Sequence, residues 1–299
     1  MESDAKASPS IMYPAPLVGA CMHFFGLTEA QCTTDLDVPD PYWKITPSTI
    51  LSTVFNIFAR DWKLYLPQLR ISGSRSDLRP PGSFWQASVE RNGQVKMPEV
   101  KESKSFLECK SPVLWGICGG MHHGKSTVAN YLVQSHDFAE YAFATPLKEG
   151  CRWLFGLTTD QLYGEAKDHP DPFWGVTPRY ILQQVGTDVF RKQLKRYLPG
   201  ISCTHTLWIE NFVRWFHNHP GVNVCVSDVR FPDEAQCVTG LQGKVVRVVR
   251  KALLNRSSSQ HQHASEQSLT SIPCHAMLPN DSTILVLLGN VRKLLKKGV

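Results

Sequence analysis

The residues that bear chemistry most plainly lie in the stretch "GGMHHGKST", Gly119 to Thr127. It fits G-x-x-x-x-G-K-[ST], with Gly119, Gly124, Lys125 and Ser126 in the required places and Gly120 and Thr127 beside them. The pattern suits a phosphate-binding loop. Backbone N–H groups and the positive end of the following helix cradle phosphate oxygens, the Lys125 ammonium reaches the β and γ oxygens, and the Ser126 hydroxyl ligates Mg²⁺. A chance glycine-rich turn has no need of Lys and Ser at those two places. His122 and His123 inside the loop read as tolerated passengers with their side chains pointing outward.

A second group of candidates sits in "VNVCVSDVRFPDEA", where an apolar run ends on Asp228. An acidic residue at a strand end can hold Mg²⁺ or orient an acceptor, and Arg230 and Glu234 are close by. The competing reading is that this stretch caps the next helix, which Asp233 and Glu234 would do anyway. "HQH" at His261 to His263 has two imidazoles and no third ligand, which makes a poor metal site.

These residues need a frame, and the chain of 299 residues with 42% hydrophobic content is long enough to supply one. No stretch approaches the ~18 uninterrupted apolar residues of a membrane span, and "MESDAKASPS" lacks the features of a signal peptide. The nine cysteines are scattered without a C-x-x-C pair and read as buried thiols in a reducing, intracellular compartment. A net charge of +6 suits anionic ligands and is too mild to require nucleic acid.

The loop follows the apolar run "VLWGIC" (Val113 to Cys118) and opens the helix-like "STVANYLVQSH". "YAFA", "VNVCVS", "KVVRVV" and "TILVLL" (Thr283 to Leu288) read as further strands, and "NVRKLLKKG" as a closing helix. Strands alternating with helices predict an α/β fold: a P-loop NTPase fold with a mostly parallel sheet flanked by helices. The expected organisation is a disordered tail over 1–15, a segment over 16–70, a linker over 71–110 and the loop-bearing domain over 111–299.

The segment over 16–70 repeats part of the later chain. "PLVGACMHFFGLTEAQ…PDPYWKITPSTIL" from Pro16 returns as "PLKEGCRWLFGLTTDQ…PDPFWGVTPRYIL" from Pro146, with one residue added between the blocks. Both end on "YLP", at Tyr65 and at Tyr197.

From Val113 onward the chain resembles the deoxynucleoside monophosphate kinases of T4-type bacteriophages and large DNA viruses. The resemblance rests on six blocks in order: "GGMHHGKST", "FATPLK" (from Phe143), "TPRYILQQVGTDVFR" (from Thr177), "LWIENF" (from Leu207), "SDVRFPDEA" (from Ser227), and "HASE" (from His263) with "LPNDST" (from Leu278). It implies transfer of the γ-phosphoryl of ATP to a deoxynucleoside monophosphate, with Mg²⁺, in nucleotide supply for DNA synthesis. Lys125 with Ser126 and Asp228 on Mg²⁺ would hold the donor. Lys148, Arg179, Gln183, Thr187, Asp188 and Arg191 would form the acceptor site, with Glu234 and with Trp208, which serves either there or in the core. Lys125, Arg179, Arg191, Asp228 and Arg230 would be the catalytic set, and Arg250 would begin a lid that His263, Ser265 and Glu266 latch. The expected partner is the nucleotide, with neither nucleic acid nor membrane, and a homodimer is allowed. A different small-molecule P-loop kinase and a catalytically silent nucleotide-binding scaffold are the alternatives.

On this reading the first segment is a partial, degenerate copy. Ser48, Ser52, Phe55 and Ile57 stand where the second has Arg179, Gln183, Gly186 and Asp188, so the acceptor residues are gone while "FGLT", the "PDP" turn and the apolar spacing remain. Its apolar "STVFNIF" must be buried somewhere, on the kinase domain or on a partner subunit.

Overall fold

The computed structural model describes residues 13–60, 112–254 and 271–298. Residues 1–12 of the expected tail, 61–70 at the end of the first segment, the expected linker and the latch residues His263, Ser265 and Glu266 lie outside them; the tail is shorter than expected, since a helix already begins at Ala15. The chain divides into two compact units, one of Lys101–Thr145 with Ile209–Val299 and the other of Met1–Val100 with Pro146–Trp208.

The first of these units is built on the apolar runs. A strand covered on both faces has no polar alternation, and "LWGIC" forms such a strand, β1 (Leu114–Cys118), buried throughout. Helix α1 (Lys125–His136) follows, then β2 (Phe138–Tyr141). Next come β3 (Asn223–Val229), α2 (Pro232–Gly240), β4 (Lys244–Val249), the short α3 (Lys251–Leu254), β5 (Ala276–Pro279) and α4 (Ile284–Lys296). The strand order is β2-β3-β1-β4-β5, and every neighbouring pair is parallel. Trp115 pairs with Cys225 on one side and with Lys244 on the other, which places β1 and the loop after it near the middle of the sheet. Trp115, Ile117, Val128, Leu132, Phe138, Val246, Val248, Leu287 and Val291 form the apolar core under α1 and α4. On β1, a Cβ at Gly116 would stand 3.1 to 3.3 Å from Val229 and Val238, so the glycine lets α2 approach.

"YAFA" shares only Tyr141 with β2, which falls earlier in the chain, and its Ala144 already starts a helix; a second expected strand is a helix as well. "TILVLL" opens α4, where Thr283 accepts the N–H of Val286 as a cap and Leu287 and Val291, four residues apart, are buried while Leu285 is exposed. A short β-branched run does not distinguish strand from buried helix; the cap and the four-residue spacing decide it, and the fifth strand falls earlier, at Ala276–Pro279.

The other unit is helical and contains both repeated segments. The first comprises α5 (Ala15–Phe25), α6 (Glu29–Thr33) and α7 (Pro47–Phe55), which runs into a π-helical stretch, Asn56–Arg60. The second comprises α8 (Ala144–Phe155), α9 (Thr159–Tyr163), a 3-10 turn (Glu165–Asp168) and α10 (Pro178–Gln183), which also turns π-helical over Gln184–Arg191, and then α11 (Lys192–Tyr197). The segments make the same hydrogen bonds. Gly26 and Gly156 both adopt left-handed φ, at 60° and 66°. Thr28 with Gln31, and Thr158 with Gln161, form capping boxes. Asp40 accepts from the amides of Tyr42 and Trp43 and from Gln31 Nε2; Asp171 accepts from Phe173, Trp174 and Gln161 in the same way. The indoles of Trp43 and Trp174 donate to the carbonyls of Phe25 and Phe155 at 2.7 and 2.8 Å.

The apolar end of the first segment is buried against the second. Phe58 stacks edge-on with Phe155, 6.0 Å between centroids, and Phe24 lies 4.8 Å from Phe190. Trp208 joins this core, 4% exposed, with its indole N–H on the carbonyl of Gly186.

Each aspartate is fully or nearly fully buried and serves three donors, so its loss strands buried N–H groups at about 1–3 kcal/mol. Asp171→Ala should lower the unfolding free energy by about that amount in urea titration, and Asp40→Ala should do the same. An unchanged midpoint for either would show that the turn does not need the carboxylate.

Candidate functional site

The glycine-rich loop from Gly119 to Gly124 begins where β1 ends. Gly119 has φ 146°, and a Cβ there would lie 2.4 Å from the carbonyl oxygen of Val248 on β4, so no side chain fits. At Gly124, φ 102°, a Cβ would lie 2.5 Å from Asn280 Nδ2. Between them His122 is also left-handed, at φ 62°. Gly124 is the N-cap of the twelve-residue α1 and provides no side-chain hydrogen bond to its first amides. Those amides and the helix dipole are the groups that a phosphate takes up. Lys125 Nζ folds over the loop and donates to the carbonyls of Gly119 and Gly120 at 2.9 and 2.8 Å. Ser126 is exposed in the first turn, and Thr127 is half-buried.

His123 is not an outward passenger. It is 8% exposed, its Nδ1 lies 3.2 Å from the Val248 carbonyl, and Asn280 Nδ2 donates to its own carbonyl at 2.9 Å. The loop is therefore pinned from beneath by β4 and by the residue after β5. Asn280 was present in the block "LPNDST" without being singled out; His122 alone points to solvent.

Asp228, the next-to-last residue of β3, accepts the amides of Phe143 and Ala144 on its two oxygens at 2.8 and 3.0 Å. Both amides belong to the same unit as Asp228, and the carboxylate keeps further lone pairs on the same oxygens. Glu234 differs from its expected place at a substrate. It is 3% exposed and accepts the amides of Arg230 and Phe231, closing the turn into α2. Its carboxylate suits this because the first amides of a helix have no partner within it. The side chains of Arg230 and of Arg250, which follows β4, are exposed.

Ser126 and Asp228 are hard oxygen donors of the kind Mg²⁺ prefers. Among the described residues no cluster of three or more His, Cys, Asp or Glu could cage a metal.

In the helical unit the expected acceptor residues lie along α8, α10 and the π-helical stretch. Arg179 makes a two-bond pair with Asp168, Nη2 to Oδ2 at 2.9 Å, and that guanidinium pulls the Asp168 carboxyl below its ordinary range. Asp188 is paired with Lys192 at 2.6 Å. Gln183, Thr187 and Arg191 are half-buried. Trp208 belongs to the core, because its indole N–H is already committed to Gly186 and its ring packs on Phe190 at 5.8 Å. The π-helical run was not foreseen; such wide turns shift the direction of the side chains after them and are frequent at functional sites.

A polar network on α8 was also missed. Lys148 Nζ stands 4.0 Å from the Tyr163 ring centroid, Tyr163 donates to Glu149 at 2.8 Å, and Arg152 donates to Glu149 at 2.7 Å and to Thr159 at 3.2 Å. Burial would raise the Glu149 carboxyl, but the hydrogen bonds from Arg152 and Tyr163 outweigh it and leave it lowered. The signal was in the repeat, where Val18, Gly19 and Met22 stand in place of Lys148, Glu149 and Arg152.

Comparison with known proteins gives a relative in Acanthamoeba polyphaga mimivirus, described provisionally as a deoxynucleotide monophosphate kinase. It is 38% identical over 180 residues, 58% of this chain and 90% of that protein. No protein-family model matches. Among solved structures, TT1252 from Thermus thermophilus is 16% identical with a TM-score of 0.34, over 63% of this chain and 98% of that one.

Gly119→Ala forces a Cβ against a backbone oxygen and into a strained φ. Titration calorimetry should show Mg·ATP binding weakened at least about tenfold, or about 1.4 kcal/mol, with the fold retained. Unchanged affinity would mean that phosphates are not bound at this loop.

Proposed function

The chain belongs to the deoxynucleotide monophosphate kinase family of T4-type bacteriophages and large DNA viruses, and from that premise we propose that it transfers the γ-phosphoryl group of ATP to a deoxynucleoside monophosphate. The products are ADP and the deoxynucleoside diphosphate. The observation that carries this reading is the loop: glycines where only glycine fits, an uncapped helix start, and a lysine whose ammonium already bonds two oxygens there.

Phosphoryl transfer asks the protein for positioning and charge neutralisation rather than covalent participation. Lys125 exchanges its two neutral carbonyl partners for β and γ phosphate oxygens, which form charge-assisted bonds roughly twice as strong. The first amides of α1 take the remaining oxygens. Ser126 and Asp228 would hold Mg²⁺, which would supply charge neutralisation on the transferred group. Asp228 is suited to this because its bonds to Phe143 and Ala144 fix the carboxylate. Arg230 and Arg250, both exposed, supply further positive charge to phosphates.

For the acceptor, Arg191 and Arg179 bind the α-phosphate, since the guanidinium fork engages two oxygens at once. Arg179 trades the Asp168 carboxylate for that phosphate. Lys148 adds charge, and Gln183, Thr187 and Asp188 offer hydrogen bonds to the nucleoside. Glu234 and Trp208 act at one remove, Glu234 by closing the turn that carries Arg230 and Trp208 by fixing the carbonyl of Gly186.

The test is an acceptor panel of the common deoxynucleoside and ribonucleoside monophosphates with Mg·ATP. At least one deoxynucleotide should yield its diphosphate, and Arg191→Ala should cut kcat/KM for that acceptor on the order of 10²-fold or more. ATP binding without transfer to any of them would contradict the reading and favour a nucleotide-binding scaffold.

A further inference from the structure

We propose that the first segment is a built-in partner subunit: it occupies, in the register of a two-fold dimer, the face of α8 that would otherwise receive a second copy of this chain, and so keeps the chain monomeric through that face. In a two-fold interface the same patch serves both sides, so that if residue i of one subunit meets residue j of the other, j also meets i. The repeat allows this to be tested inside one chain, because Pro16 to Gln31 correspond one for one with Pro146 to Gln161.

Helices α5 and α8 touch at two places where a glycine admits a ring. A Cβ at Gly19 would lie 2.3 Å from the Trp153 indole, and one at Gly150 would lie 2.1 Å from the Phe24 ring. On α5 the contact therefore centres between Gly19 and Phe24, at Cys21 and Met22. On α8 it centres between Gly150 and Trp153, at Cys151 and Arg152. These are corresponding positions of the repeat, as a two-fold axis through the crossing requires, and Cys21 and Cys151 are both fully buried there. Of the reciprocal pairs, one interacts and the two residues of the other are both buried. Gly19 and Trp153 correspond to Glu149 and His23, which interact electrostatically. Phe24 and Gly150 correspond to Leu154 and Ala20, both fully buried.

The two halves of the contact are no longer identical, and the differences favour the internal partner. A second copy of α8 would bring Glu149 against Trp153, where the spacing leaves room only for Gly19. His23, in place of a second tryptophan, puts an imidazole beside Glu149. Phe58 on Phe155 and Phe24 on Phe190 extend the seam. A partner carried on the same chain is also present at high effective concentration.

Sedimentation equilibrium of the full chain should give one species at the 33.6 kDa of a single chain; a concentration-dependent species of twofold mass would overturn the proposal. Gly19→Glu, which gives the first segment the residue of the second, should lower the thermal midpoint and speed hydrogen exchange in both α5 and α8. Adding Trp153→His recreates the Glu–His pair of the opposite side and should restore both readouts. Exchange in α8 that is unaffected by Gly19→Glu, or a second substitution that only adds to the damage, would show that the contact is not reciprocal.

Discussion

The contact on which the rest of the loop depends is the approach of Gly119 to the carbonyl of Val248. Parallel pairing of β1 with β4 sets the distance, and at 2.4 Å from a would-be Cβ it excludes every residue but glycine. Because the backbone can pass there, the chain leaves the strand, folds His123 beneath itself onto the same carbonyl, and enters α1 with its first amides uncapped. Asn280 closes the arrangement from β5. Two strands on one side of β1 thus shape the glycine-rich loop, while β3 on the other side places Asp228.

The helical unit shows how far a scaffold and its chemistry can be separated. Both repeated segments keep the capping box, the left-handed glycine, the buried aspartate and the tryptophan that donates to the end of the first helix. The aspartates and tryptophans among them satisfy buried polar atoms, so substituting these costs stability wherever the segment stands. Only the second carries Lys148, Glu149, Arg152, Arg179 and Asp188 on this frame. The first has Val18, Gly19, Met22, Ser48 and Ile57 there. A fold of this kind does not by itself identify a function; the polar side chains grafted on it do.

Much of this was legible in the sequence, because some constraints are local. The loop glycines, Lys125 and Ser126, the buried runs of β1, β3 and β4 and the internal repeat all leave marks in residue type and spacing. What was not legible depends on partners distant in the chain. "TILVLL" reads as a strand until the Thr283 cap and the four-residue spacing of Leu287 and Val291 are seen against α1. His123 turns inward only because Val248 lies beneath it, and Glu234 turns back because two amides need an acceptor. Trp208 belongs to the core for the same reason, since the Gly186 carbonyl takes its indole N–H.

The central claim is that γ-phosphoryl transfer depends on the Lys125 ammonium at the loop. The direct measurement follows label from [γ-³²P]ATP into deoxynucleoside diphosphate with the wild-type chain and with Lys125→Ala, each checked for folding by its thermal melt. Label should appear in the diphosphate with the wild type and be lost in the variant while the melt is unchanged. Label that still reaches the diphosphate in a folded Lys125→Ala chain would place the chemistry elsewhere.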